Sequence, residues 1–284
     1  MRFHLFCLLL SAFVPAAQAA IVEQQMRPAI TASAEYVVGE RGKPAVLLLH
    51  GFLQTREFPT IATLGRGLQS AGFTVLAPTL SLDIPNRTRS LACEAAHRHG
   101  MDQDLMEISR WVSWLKARGH DSIVLVGHSF GSLQLLAYLS QNPDPAVKGY
   151  VGASLVDAQI GALPRQPLIA DMQSRAQNGQ RDLVTRSLSF CRNYTSTPES
   201  LLSYLQWDPS RVLAALKRSP VDTLLIMGDA DERLGRGWLK ALRHIQVPMV
   251  IVPGASHFMD GTHEFELLEL TQRFLEAPER RPAR

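Results

Sequence analysis

A serine stands between two glycines in Gly127-His128-Ser129-Phe130-Gly131, after an apolar run ending at Val126 and before a helical pattern from Phe130 to Gln141. A strand-to-helix turn this tight holds its central residue in a strained backbone conformation, and the flanking glycines let neighbouring chains approach without a Cβ clash. Ser129 Oγ is then presented at a sheet edge, at a helix N-terminus whose N–H groups and dipole favour developing negative charge. A serine hydroxyl is a weak nucleophile at neutral pH, so it needs an imidazole beside it and a carboxylate to keep that imidazole in one tautomer. Both types follow downstream. Gly228-Asp229-Ala230-Asp231 comes after the apolar run ending at Met227, and Pro253-Gly254-Ala255-Ser256-His257-Phe258 after the one ending at Val252. Of nine histidines, His257 is the candidate base, because it lies in a Gly-x-x-His turn after the last apolar run. His128 is inside the serine turn and faces away from the nucleophile, His244 lies in a helical pattern and His263 begins one. The candidate acids are Asp231, Asp229 and, after the preceding run, Asp157.

Positioning these groups requires a sheet whose strand ends converge. Nearly continuous apolar runs at Ala45–Leu49, Phe73–Ala77, Ser122–Val126, Gly149–Ser154, Thr223–Met227 and Val247–Val252 read as strands buried on both faces. Ala34–Val38 reads as an added edge strand. Helical patterns lie between them at about Ile61–Ala71, Met101–Arg118, Phe130–Gln141, Leu234–His244 and Glu264–Leu275, with apolar residues at three- and four-residue spacing, as in Leu105, Ile108, Val112 and Leu115. Trp111 and Trp114 are expected to pack in the core. The alternation predicts an α/β fold: a mostly parallel sheet with helices on both faces. From about 158 to 218 the rhythm breaks, with no strong strand and short amphipathic segments punctuated by Pro164, Pro167, Pro198 and Pro209. This stretch is expected to be a helical, cap-like insertion above the C-terminal edge of the sheet, where ligands bind in open α/β sheets.

Through His50-Gly51-Phe52, Gly127–Gly131, Gly228–Asp231 and Gly254–His257 the chain resembles the α/β-hydrolase superfamily, and the resemblance covers most of it. It implies a single α/β-hydrolase domain over 20–284, with Asp231, the fourth residue of a Gly-x-x-Asp loop, as the acid. It also implies an oxyanion hole formed by the N–H groups of Phe52 and Phe130. The expected reaction is acyl transfer to water at an ester-like bond, with no cofactor and no metal. A serine at 129 in place of aspartate argues against dehalogenase and epoxide hydrolase chemistry, while amidase or peptidase activity and a non-catalytic binding protein of the same fold are the alternatives.

The net charge of +3 with interspersed signs offers no field for a nucleic-acid partner. The expected partner is a small ester-like molecule with an apolar group, favoured by the Leu, Tyr and Trp of Leu201–Trp207, although packing explains those residues equally well. Met1-Arg2, an apolar run from Phe3 to Val14 and a small-x-small site ending at Ala19 read as a signal peptide over 1–19. Its removal gives an exported, periplasmic or secreted protein without stable membrane insertion. The arginines 280, 281 and 284 read as a solvated tail. Cys93 and Cys191 remain after cleavage, and pairing requires Cα atoms about 4.4–6.8 Å apart, a distance the sequence does not fix. The segment Cys93-Glu94-Ala95-Ala96-His97-Arg98-His99 reads as a solvated loop or entrance rather than a metal site, since no second Cys or His pair stands nearby.

Overall fold

The computed structural model describes residues 19–141, 143–157, 165–235 and 237–277. The expected signal peptide up to residue 18, the first part of the insertion at 158–164 and the terminal arginines lie outside the described residues. The chain opens with β1 (Ala20–Arg27) and β2 (Ile30–Val37), then β3 (Ala45–Leu49), α1 (Pro59–Ser70), β4 (Thr74–Thr79) and α2 (Met101–Lys116). β5 (Ile123–His128), α3 (Phe130–Leu139) and β6 (Val147–Ala153) follow. Next come α4 (Arg165–Gln177), β7 (Val184–Leu188), β8 (Cys191–Ser196), α5 (Pro198–Leu205) and α6 (Pro209–Lys217). β9 (Asp222–Gly228), α7 (Trp238–His244), β10 (Met249–Val252) and α8 (His263–Glu276) complete the order.

The main sheet runs β1-β2-β4-β3-β5-β6-β9-β10. β2 is antiparallel to both its neighbours, and β4 through β10 are parallel. Period-two alternation divides the core. Val46 and Leu48 of β3 and Val124 and Val126 of β5 join Ile61, Leu64 and Leu68 of α1 and Leu267 and Leu275 of α8. Leu47, Leu49, Ile123 and Leu125 face the other way, onto Ile108, Trp111 and Trp114 of α2 and Leu133 of α3. Helices therefore cover both faces, as the buried runs require, and Trp111 and Trp114 are packing residues.

Two elements differ from the sequence reading. The edge strand is β1, because β2 is paired on both sides. β1 carries Glu23, Gln24 and Gln25 and is mostly exposed, so it lacks the apolar run that marked the others. Within 158–218, α4, α5 and α6 are helical, but β7 and β8 form an antiparallel hairpin where no strong strand was expected. Its strands, Val184-Thr185-Arg186-Ser187-Leu188 and Cys191-Arg192-Asn193-Tyr194-Thr195-Ser196, are short and polar on their exposed side. Pro198 and Pro209 begin helices instead of interrupting them. Each follows a capping residue: Thr197 Oγ1 accepts from Ser200 N–H at 3.3 Å, and Asp208 Oδ1 accepts from Arg211 N–H at 2.8 Å.

The hairpin is bound to the body of the fold. Cys93 and Cys191 form a disulfide with Cα atoms 5.5 Å apart. Thr195 N–H donates to Cys93 O, and His97 N–H donates to Thr195 O. The segment expected to be a solvated loop or an entrance to the site is thus buried at its histidines. His97 stacks on Tyr194 with ring centres 4.4 Å apart, and His99 Nδ1 lies 2.7 Å from the Tyr204 hydroxyl. The segment is polar in sequence because its partners, on β8 and α5, arrive from about a hundred residues away.

Candidate active site

The turn between β5 and α3 holds Ser129 at φ 56°, ψ −123°, a region L-residues occupy only when the surroundings impose it. Those surroundings are crowded backbone. A Cβ on Gly131 would sit 2.3 Å from His50 O and 2.8 Å from Leu49 O, and one on Gly127 would meet Ser132 N at 2.7 Å. Ser129 N–H is anchored on β6 through Ala153 O at 2.8 Å. The serine is 8% exposed, so its hydroxyl lies under the surface and not on it.

The loops after β9 and β10 are stitched to each other. Ala230 N–H donates to Ala255 O, and Asp229 Oδ1 accepts from Gly254 N–H at 2.6 Å. A Cβ on Gly228 would meet Ala255 O at 2.2 Å, which explains the glycine. This lacing brings His257 Nε2 to 2.7 Å from Ser129 Oγ, and His257 Nδ1 to 2.7 Å from Asp231 Oδ2. An ionised carboxylate only accepts, so Nδ1 carries the hydrogen and Nε2 is free to accept from Ser129. Asp231 Oδ1 takes Arg233 N–H at 2.9 Å, leaving the acid with partners on both oxygens. Asp229 is spent on Gly254, and Asp157 pairs with Arg165 Nη2 at 2.8 Å.

Phe130 is the first residue of α3, so its N–H has no acceptor within the helix. Phe52 N–H meets no acceptor among the described residues. The loop carrying Phe52 is held from several sides by the side chains of His50 and Arg87. Gly51 O accepts from His50 Nδ1–H at 2.8 Å, and His50 Nε2 accepts from Leu80 N–H at 3.1 Å. In a planar trans peptide the N–H points opposite the C=O, so pinning Gly51 O also aims Phe52 N–H. Burial drives the His50 imidazole down to about 3, which keeps it neutral and able to make both bonds. Arg87, itself buried, donates to Leu80 O, Leu53 O, Gln54 O and Arg89 O, clasping the loop to the end of β4. Gly51 stands next to Ser129: a Cβ there would lie 3.4 Å from Ser129 Cβ.

His128 turns from the serine as expected and donates through Nε2 to His257 O at 2.8 Å. Burial lowers its imidazole to about 3, so it is a neutral prop under the His257 loop. These supports were illegible because each joins residues remote in sequence through one side chain. Around the site stands an aromatic cluster: Phe52 contacts Phe130 at 4.6 Å, Tyr194 at 5.5 Å, Phe190 at 6.0 Å and Tyr204 at 6.1 Å between ring centres. Among the described residues no group of three or more His, Cys, Asp or Glu is placed to hold a metal ion, and no helix is long and apolar enough to cross a membrane.

The family model described as the alpha/beta hydrolase family matches residues 46–268, from β3 to α8. The chain belongs to the α/β-hydrolase family. Solved structures share the fold of this α/β-hydrolase at low identity. Est1E from Butyrivibrio proteoclasticus is 17% identical, with a TM-score of 0.64 over 90% of this chain and 97% of its own. The esterase domain of a Rhodothermus marinus protein is 15% identical, with a TM-score of 0.61 over 90% and 97%. A thioesterase domain from the curacin biosynthetic pathway is 19% identical, with a TM-score of 0.60 over 90% and 99%. No curated protein matches the chain.

Proposed function

We propose that this α/β-hydrolase is an exported serine hydrolase that cleaves an ester-like bond of a small molecule through an acyl-enzyme. The observation that carries this reading is the unbroken run from Ser129 Oγ through His257 to Asp231, with 2.7 Å at each of its two hydrogen bonds. Ser129 Oγ attacks the carbonyl carbon while its proton passes to His257 Nε2, and Asp231 holds the imidazolium that forms. Phe52 and Phe130 N–H groups take the negative oxygen, each donor being worth on the order of 3 kcal/mol. Collapse of the intermediate expels the alcohol, which leaves with the proton from His257. Water then adds to the acyl-enzyme by the same relay and restores Ser129.

The aromatic rings packed around Phe52 suit an apolar group next to the scissile bond. The names of two similar structures, an esterase domain and a thioesterase domain, favour acyl transfer over other uses of the fold. Export is supported by the leader-like residues 1–19, by β1 beginning at Ala20, directly after the expected cleavage site, and by the Cys93–Cys191 disulfide, a bond at home in oxidising compartments. Expression of the full chain in a bacterial host, with intact mass and activity read on the exported fraction, tests both halves of the proposal. The expected product begins at or near Ala20 and hydrolyses a p-nitrophenyl ester series while sparing matched aminoacyl anilides. A mass that retains Met1 would overturn export, and anilides cleaved in preference to esters would overturn the ester assignment.

A further inference from the structure

Arg233 stands two residues beyond Asp231, on the loop that supplies the acid, with its side chain half-buried. Its guanidinium carbon lies 4.6 Å from the centre of the Phe258 ring and 5.6 Å from that of Phe190. Phe258 follows the proposed base and its ring centre is 5.5 Å from that of His257. Phe190 is at the turn of the β7–β8 hairpin and meets Phe52, on the oxyanion side, edge to face at 6.0 Å. One cation therefore touches both the ring that follows His257 and a ring of the hairpin that the disulfide ties to Cys93.

The charge is unspent. Arg27, Arg165, Arg175 and Arg273 each meet an aspartate or glutamate. The Arg233 guanidinium has neither an ion pair nor a hydrogen bond among the described residues, and only its backbone N–H is bonded, to Asp231 Oδ1. The Asp231 carboxylate is bonded instead to the backbone N–H of Arg233 through Oδ1 and to His257 Nδ1–H through Oδ2. Aromatic faces attract a guanidinium through the ring quadrupole and strip part of its water without removing its charge. The planar edge of the guanidinium keeps its N–H donors, and a carboxylate matches that fork with two parallel hydrogen bonds.

We propose that Arg233 is a specificity-determining residue that binds a carboxylate of the substrate, so that the esters this enzyme prefers carry an anionic group beside an apolar segment. This rests on the ester-hydrolase reading above. Two matched pairs of esters test it: p-nitrophenyl hydrogen glutarate against p-nitrophenyl valerate, with the charge on the acyl side, and 4-acetoxybenzoate against 4-methylphenyl acetate, with the charge on the alcohol side. The readout is the charged-to-neutral ratio of kcat/KM, in which differences of intrinsic reactivity cancel between wild type and variant. In at least one pair Arg233→Met lowers the ratio about 10-fold or more, the scale of a lost charge-assisted hydrogen bond, and Arg233→Lys restores part of it. The wild-type ratio for that pair also falls as salt is raised from about 0.05 to about 0.5 M. Ratios unmoved in both pairs, including the case where all four rates drop together, would overturn the proposal and leave Arg233 as packing at the rim. If the wild type turned over none of the four esters, the hydrolase reading itself would fall, and the role of Arg233 with it.

Discussion

Asp229 and Asp231 lie two residues apart on one loop, yet their carboxylates meet different partners. Asp231 Oδ2 is 2.7 Å from His257 Nδ1, whereas Asp229 Oδ1 is 2.6 Å from Gly254 N. Only the first can keep the imidazole in the tautomer that accepts the Ser129 proton. Asp231→Asn is expected to preserve the packing but invert the preferred tautomer, with a loss of kcat up to roughly 10⁴. Asp229→Asn removes one loop contact and is expected to cost less than about 10-fold. Steady-state kinetics on one ester decides it, and equal losses in the two variants would mean that the acid has been misassigned. The sequence singled out these residues because each follows an apolar run in a turn with a glycine at fixed spacing. It placed His50 and His128 inside motifs without showing what their side chains bond, and it did not mark Arg87 at all. Their roles come from bonds to backbone carbonyls or amides that local spacing does not encode, as between Arg87 and Leu53 O or His128 and His257 O.

The elements were legible where both faces of a strand are buried. β3 and β5 are apolar at every position from Ala45 to Leu49 and from Ile123 to Val126, so neither could pass as a surface segment. β1 and the β7–β8 hairpin were hidden because their stability is supplied by partners and not by composition: β2 for β1, and for the hairpin the disulfide together with Tyr194 stacked on His97. That dependence can be measured. The disulfide spans 98 residues of sequence, and a cross-link of such length removes unfolded-state entropy worth about 4–5 kcal/mol in the chain-entropy account. The double variant Cys93→Ser, Cys191→Ser is expected to unfold in urea with a free energy lower by roughly 2–5 kcal/mol. A change below about 1 kcal/mol would show that backbone bonds such as Thr195 N–H to Cys93 O suffice to hold the hairpin.

Over the whole molecule, the parallel strands bring four distant segments to one edge of the sheet: the loop after β3 with Phe52, the turn after β5 with Ser129, and the loops after β9 and β10 with Asp231 and His257. The cap hairpin and α5 close over them with Phe190, Tyr194 and Tyr204. The fold class follows from the alternation of buried strands and amphipathic helices, while the aromatic cluster around Phe52 depends on how the β7–β8 hairpin and α5 pack against it, which polar surface strands do not announce. In the proposed function this assembly makes Ser129 a nucleophile and leaves the other serines inert. Incubation of the protein with a fluorophosphonate, followed by intact-mass and peptide mapping, distinguishes the serines. A single adduct on Ser129 is expected, lost in Ser129→Ala and slowed many-fold in His257→Gln, with the fold of both variants intact by circular dichroism. Labelling that persists in Ser129→Ala, or a folded wild-type protein that takes up no probe, would contradict it.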